Sequence, residues 1–368
     1  MTARKPRRAT LDIEDPQALV PYLRGIGRCA GHARVSTLAG GVSNRTVLVE
    51  PVDGMAPFVL KQALNKLRVQ AEWHADPERI HVEARALDWI GRLCGPDVVP
   101  RRLFEDRRHH LLAMTAVPRP HRTLKEGLIA GEIDDGLLTE LAVILGTLHR
   151  TSTRRAGELA RDFADRRFFE TLRLDPYYGY TAERVPAARS FLRDLQADTR
   201  TVTVALVHGD YSPKNVLVHN HRLVLIDHEV AHLGDPAFDV GFSLTHLLSK
   251  AHHLRSPALA AAAAEYWRRY QDEVRAVPWS GSLESRAVRH TLACLLARVA
   301  GKSPLEYLDA SARSRQTAAV LALIPEPPDT IPELIDAFYH RLHVRPQTTR
   351  PDRVPPSAPR ERPWGPEM

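Results

Sequence analysis

The chain has 368 residues, 43% of them hydrophobic, with a formal charge of +7; this suits a soluble globular protein of one large domain or two lobes. No apolar run reaches a membrane span, MTARKPRR lacks the apolar region of a secretory signal, and Cys29, Cys94 and Cys294 are too scattered for a disulfide framework or zinc site. A cytoplasmic protein is expected, with no membrane partner. Several positive charges sit in the two tails and no Arg-rich run between them is interleaved with aromatics, so no nucleic-acid partner is expected either.

Residues 1–10 read as disordered, and residues 11–117 as a first lobe. Asp12 to Gly25 predicts a short helix, with Asp15 as cap and Pro16 in the first turn. Ala33 to Glu50 reads as two strands around Gly40-Gly41-Val42-Ser43-Asn44, and Pro57 to Ala63 as a third strand carrying Lys61. A Gly-containing turn can bring backbone N–H groups to phosphate oxygens, though hairpins use Gly-Gly constantly. Asp76-Pro77-Glu78 opens a helix with the apolar stripe Ile80, Ala84, Leu87 and Ile90. Glu83 lies beside that stripe. If it faces the core it needs a cation, and Lys61 is the candidate; otherwise it is a half-exposed acid at the stripe's margin. Leu111 to Val117 is the last strand of this half, and Pro118 and Pro120 end it.

Residues 118–345 read as a second, mainly helical lobe. Asp134 to Thr151 is a strongly amphipathic helix. Arg161 to Gly179 is aromatic-rich and fits neither period. Val185 to Ala197 reads as a helix, and Thr201 to Val207 as a strand leading into the most informative stretch, Leu206 to Gly241. Beyond it Asp239 is placed to cap a helix over Val240 to Lys250. Further helices are expected over Pro257 to Val274, Arg286 to Ala300, Ser314 to Ile324 and Pro332 to Arg345. The Pro- and Arg-rich residues 346–368 read as a disordered tail. The pairs His109-His110 and His252-His253 lack metal-ligand spacing and read as surface residues.

Leu206 to Gly241 reads LVHGDYSPKNVLVHNHRLVLIDHEVAHLGDPAFDVG. Two β-rich runs around His219-Asn220-His221 predict a hairpin. Folded about His221, it sets Asn215 roughly opposite Asp227, with Asp210 just upstream. Such oxygen ligands suit a hard cation such as Mg2+. The bland alternative is a polar loop built of ordinary turn residues. Against it, His208-Gly209-Asp210 with Asn215 has the H-x-D-x-x-x-x-N spacing of a kinase catalytic loop, and Asp227 follows where a metal-binding Asp belongs. No GxxxxGK[ST] run occurs, which disfavours a P-loop NTPase.

Two segments, HGDYSPKNVLV with LIDHEVAHLGDPAFDVG and VLKQALNKLRVQAEWH with the Glu83 helix, carry a family resemblance over roughly residues 35–310. The chain resembles the aminoglycoside phosphotransferase and choline kinase-like family, and its N-terminal part is similar to methylthioribose kinase. The resemblance implies an α+β, protein-kinase-like bilobal fold: a small β-sheet lobe with one main helix, and a larger, mainly helical lobe. It implies that Asp210 is the catalytic Asp, that Asn215 and Asp227 hold Mg2+, and that Glu229 is a possible further metal ligand. Lys61 would hold the α/β-phosphates of ATP with Glu83 as its ion-pair partner. Ser43 and Asn44 would face the phosphates, Met114, Thr115, Ala116 and Val117 would meet adenine, and His208 and Asp239 would brace the loop. The activity implied is ATP- and Mg2+-dependent phosphorylation of a small-molecule hydroxyl, by a monomer or homodimer. An aminoglycoside-modifying kinase and a catalytically idle nucleotide-binding module are the alternatives.

The sequence departs from methylthioribose kinase at Asn215 and lacks its paired-arginine signature. In that region Arg298 and Lys302 lie four apart, on one face of a helix end. They read either as substrate contacts or as a solvated basic face. Lys214 reads either as a γ-phosphate contact or as a solvent-facing side chain.

Overall fold

The computed structural model describes residues 11–38, 43–68 and 73–343. The expected disordered ends, and Gly40-Gly41-Val42 of the expected turn, lie outside the described residues. The first half runs α1 (Pro16–Gly25), β1 (Ala33–Thr37), β2 (Asn44–Pro51), β3 (Phe58–Ala63), α2 (Arg79–Cys94), β4 (Arg102–Asp106) and β5 (Leu111–Thr115). Its five strands form one antiparallel sheet in the order β1-β2-β3-β5-β4. β4 was not anticipated; it is an edge strand whose sequence, RLFED, is mostly polar and only partly buried, as edge strands often are.

Strand alternation divides this sheet between two cores. Leu60, Leu111 and Ala113 point to a small core shared with Ile13, Leu19 and Leu23 at α1. Leu112 and Met114 point the other way, into the main core with Ile80, Ala84 and Leu87 of α2. Lys61 pairs across from Leu112. That register turns its side chain toward α2.

The second half begins with β6 (Arg122–Thr123), α3 (Leu124–Ile129), α4 (Asp135–Thr153), α5 (Ala156–Phe163) and α6 (Arg167–Phe169). A π-helix over Glu170–Gly179 follows, then α7 (Tyr180–Arg184) and α8 (Arg189–Thr201). Next come β7 (Ala205–Val207), β8 (Val216–His219), β9 (Arg222–Leu225) and β10 (His232–Gly234). The described residues end in α9 (Pro236–Leu254), α10 (Pro257–Val274), α11 (Leu283–Ala300), α12 (Ala310–Leu321) and α13 (Ile331–His343). α9 is buried along nearly its whole length. It lies so close to α11 that a Cβ on Gly241 would sit 2.6 Å from the Cβ of His290.

Two local readings are corrected. The cap of α9 is Asp235, whose side chain accepts from the Ala237 N–H at 3.0 Å with Pro236 beginning the helix; Asp239 lies inside the first turn. The predicted hairpin is β8–β9, but it turns about Asn220 and His221 together, at φ 48° and 55°. Two residues with positive φ are the signature of a type I′ turn. The register is therefore one residue tighter: the Ile226 N–H donates to the Asn215 carbonyl at 2.9 Å. Asp227 falls just beyond, at φ 67°.

Candidate active site

β7 and β10 pair antiparallel, and the catalytic-loop sequence leaves β7 at His208. The turn depends on Gly209, whose φ is +77° and whose missing Cβ would stand 2.8 Å from the Val230 Cγ2. Asp239 secures it from α9: one carboxylate oxygen accepts from the His208 N–H at 2.6 Å and the other from the Gly209 N–H at 2.8 Å. Asp239 is fully buried and also meets His149 Nε2 at 3.3 Å. His208 accepts from the Asp210 N–H through Nδ1 at 3.2 Å, which fixes that nitrogen as unprotonated. Burial lowers the His208 pKa, outweighing nearby Asp239 and Asp210.

Asp210 is buried, with its two oxygens in different surroundings. Oδ2 receives Arg173 at 2.8 Å, Lys214 at 3.1 Å and the Asn215 amide at 2.7 Å. Oδ1 is buried with no partner. Burial works to raise the pKa, but the charges of Arg173 and Lys214 prevail and hold Asp210 below the ordinary carboxylate range. The result is a carboxylate that stays ionised and keeps one acceptor oxygen open, placed to receive a hydroxyl proton. Of the two readings of Lys214, its ion pair with Asp210 turns it into the site, although about half of its side chain stays exposed.

Lys61 makes the opposite wall. Its ammonium lies 2.7 Å from Glu83 and 3.2 Å from Asp227. Glu83 is wholly buried, so the pair reading holds over the margin reading. Burial opposes the Lys61 charge, but Asp227 and Glu83 sustain it and raise its pKa. Against burial, Lys61, Lys214 and Arg173 hold Asp227 well below its usual range. For Glu83 burial dominates and raises the pKa despite Lys61.

Ligand oxygens of Glu83, Asp227 and Glu229 lie within 4.8 Å of one another. Glu83 Oε2 and Asn44 Oδ1 are buried without partners. An all-oxygen set containing such atoms fits a hard divalent cation. Asn215 gives its amide nitrogen to Asp210, to the backbone carbonyl at 3.0 Å as well as to Oδ2, so its oxygen is the end that remains for a metal. Glu229 is more committed, since Oε2 already accepts from Arg79 at 3.1 Å and from Asn44 at 3.0 Å. Ser43, also buried, joins this group by accepting from the Asn44 amide through Oγ at 3.1 Å.

The remaining expectations divide. Met114 is buried in the main core, and Thr115 ends β5. Thr115, Ala116 and Val117 border a groove of about 740 Å³ with Leu87, Val99 and His219, and none of Lys61, Asp210 and Asp227 lines it. Arg298 and Lys302 do not share a helical face, because α11 ends at Ala300. Arg298 is buried and donates to the Tyr177 hydroxyl at 3.2 Å, whereas Lys302 lies 4.7 Å from the ring centre of Trp73. His252 is buried and bonded to the Ala312 carbonyl at 3.1 Å rather than lying at the surface. His110 stands beside Glu78 and His81, so sequence spacing missed a cluster of possible metal ligands.

Two residues important to this geometry were not singled out. Arg173 projects from the π-helix, where neither helical nor strand periodicity applies. Arg79 has no solvent exposure; it binds Glu229, the carbonyls of Leu64 (2.9 Å), Ala75 (3.2 Å) and Asp76 (3.0 Å), and that of Ser43. Arg79 stands four residues before Glu83 on α2, and that spacing was the available signal.

A model of the phosphotransferase enzyme family matches residues 34–279. The chain belongs to that family. Among curated members it is similar to methylthioribose kinase 1 of Oryza sativa subsp. japonica, at 28% identity over 275 residues, covering 64% of this chain and 62% of the relative. It is also similar to the methylthioribose kinase of Yersinia enterocolitica, at 26% identity over 284 residues, covering 69% of this chain and 70% of the relative. The match thus spans about three-fifths of the rice protein's length. Among solved structures, an amicoumacin kinase in complex with AMP-PNP, Ca2+ and Ami superposes with a TM-score of 0.53 at 15% identity, covering 82% of this chain and 91% of that one. A Plasmodium vivax ethanolamine kinase gives 0.50 at 11% identity, covering 89% and 86%. At such identities these likenesses carry the fold, and the fold is the expected α+β, kinase-like, bilobal one.

Proposed function

We propose that this member of the phosphotransferase enzyme family is an ATP- and Mg2+-dependent kinase that phosphorylates a hydroxyl of a small, sugar-like metabolite. The observation that carries the reading is Asp210: an ionised, buried carboxylate with Oδ1 open and Oδ2 held by two cations and an amide. The methylthioribose kinase relatives support a sugar-like acceptor. Three unpaired cysteines accord with a reducing, cytoplasmic setting.

Bound Mg·ATP supplies the phosphoryl group; Asp227 and Asn215, with Glu229, would hold the metal, and Lys61 the α/β-phosphates. Glu83 holds Lys61 in place by a 2.7 Å ion pair. Asp210 accepts the acceptor's O–H through Oδ1 and so aligns the oxygen for attack. Because Arg173 and Lys214 keep its pKa low, Asp210 orients the hydroxyl first and takes its proton late.

ADP release with a panel of polyols, sugars and amino sugars tests the reading. Asp210→Asn should lower turnover by about 10²–10⁴-fold while leaving the thermal stabilisation by Mg·ATP intact. Full activity of that variant on the best acceptor refutes the assignment of Asp210.

A further inference from the structure

We propose that the acceptor carries an anionic group, a carboxylate or a phosphate ester, which Lys250, Arg298, Tyr307 and His246 bind on the helical side of Asp210. The inference rests on the kinase reading for the word acceptor, but the anion subsite stands on its own residues.

Lys250 lies on α9, one turn beyond His246, and is 1% exposed. Its ammonium donates to the His246 carbonyl at 3.1 Å and stands 5.4 Å from the ring centre of Tyr307. No carboxylate among the described residues pairs with it. An ammonium carries three donors, and an unpaired buried one costs several kcal/mol. Around it are further open polar atoms: Arg298 Nε, the Tyr307 hydroxyl and His246 Nε2 are all buried without partners. Four neighbouring groups therefore present unsatisfied polar atoms to one another's surroundings. Three of them offer N–H or O–H donors to an anion.

The local charge has the matching sign. Burial pushes the Lys250 pKa down to about 7, and Lys125 and Arg298 push the same way, with only Glu306 opposing. Glu306 is itself paired with Lys125. His246 is pushed down by burial and then by Lys250, Arg298, Lys214 and Lys125. A cationic acceptor would meet repulsion here, whereas an anion would neutralise the cluster.

The cluster also adjoins the catalytic carboxylate. The π-helix links the two: its Arg173 pairs with Asp210 Oδ2 at 2.8 Å, and its Tyr177, four residues on, accepts from Arg298 at 3.2 Å. Tyr177, bonded to Arg298, packs 5.7 Å from Phe242, and Phe242 packs 5.0 Å from His246. The π-helix thus bears both a partner of Asp210 and a partner of Arg298. An acceptor with a hydroxyl at one end and an acid at the other matches this arrangement.

Calorimetric titration tests this in the presence of saturating Mg·AMP-PNP, which covers Lys61. The carboxylate arm compares D-gluconate with D-sorbitol, and the phosphate arm compares D-ribose 5-phosphate with D-ribose. In at least one arm the acid should bind about tenfold or more tightly than its neutral partner. Lys250→Met should remove about 10–100-fold of that affinity, the range of a charge-assisted hydrogen bond. Equal binding within both pairs, no binding in either arm, or unchanged acid binding by Lys250→Met overturns the proposal. Selective acid binding upholds the subsite, while the kinase reading stands or falls separately on ADP release and on Asp210→Asn.

A second site rests on different residues. We infer that Glu78, His81 and His110, with Glu105 beside them, form a site for a divalent transition metal in the first half. Their ligand atoms, Glu105 aside, lie within 4.8 Å of one another. His81 is 1% exposed with neither ring nitrogen hydrogen-bonded, and His110 Nδ1 is likewise buried and unbonded. Carboxylate oxygens stand by: Glu78 is 3.6 Å from His110 Nδ1 and Glu105 is 3.8 Å from His81 Nδ1. Two imidazoles with carboxylates suit Zn2+ or Co2+. Titrating the Mg·AMP-PNP-saturated protein with Co2+ should develop a visible d–d band in the native chain and not in His110→Ala. Absence of the band in the native chain, or its retention in the variant, overturns the site.

Discussion

Replacing Lys250 with Met should stabilise the protein at neutral pH, although it removes a long basic side chain from a buried position. Lys250 is 1% exposed and has no carboxylate partner among the described residues, and its pKa falls from 10.5 to about 7. The unfolded chain keeps its proton up to about pH 10.5, while the folded protein releases it near pH 7. Between those limits the unfolded state binds more protons, so stability rises with pH. Below pH 7 the full penalty applies, and above about 10.5 it vanishes. A drop of about 3.5 units, at ~1.36 kcal/mol each, sets a ceiling of ~5 kcal/mol. Met has similar length and keeps the packing of the stem, so Lys250→Met should gain a few kcal/mol at pH 7 and almost nothing near pH 10. Urea unfolding of both proteins at about pH 7 and pH 9.5 reads this directly, because other titrating groups cancel in the difference. A variant less stable than the native chain at pH 7, or a difference that does not shrink as pH rises, refutes the reasoning.

Two substitutions probe the turn at Gly209. Asp239→Ala strips acceptors from the buried His208 and Gly209 N–H groups; at ~1–3 kcal/mol for each unsatisfied donor, thermal melting should show a loss of several kcal/mol, and near-native stability would contradict the bracing role. Gly209→Ala forces a Cβ to 2.8 Å from Val230 at φ +77°. It should cost about 1–3 kcal/mol and lower kcat more than it alters nucleotide binding; equal kcat in the two proteins would show that the turn tolerates the shift.

What could be read from the sequence was the part written in local patterns. Lys61, Asp210 and Asp227 lie on strands or on loops fixed by strands, where period and turn chemistry limit the options. The hairpin was found but misregistered by one residue, because either Asn220 or His221 could have stood at its apex. The Asp235-Pro236 pair was a cap signal passed over in favour of Asp239, though Pro at the first helical position is a strong marker. Arg173 was out of reach, since the π-helix breaks the 3.6 period that assigns facing. Lys250 lies on a helix buried on nearly every side, so no apolar stripe distinguishes its inner face.

Arg79 carries a consequence for how the molecule comes apart. Its guanidinium binds Ser43, Leu64, Ala75 and Asp76 in the first half and Glu229 in the second. The same α2 that bears it shares one apolar core with α4 and α9. Melting of one half is therefore coupled to melting of the other. Heating should give a single calorimetric transition, and Arg79→Met should begin to split it, separating the cooperativity of the sheet from that of the helices.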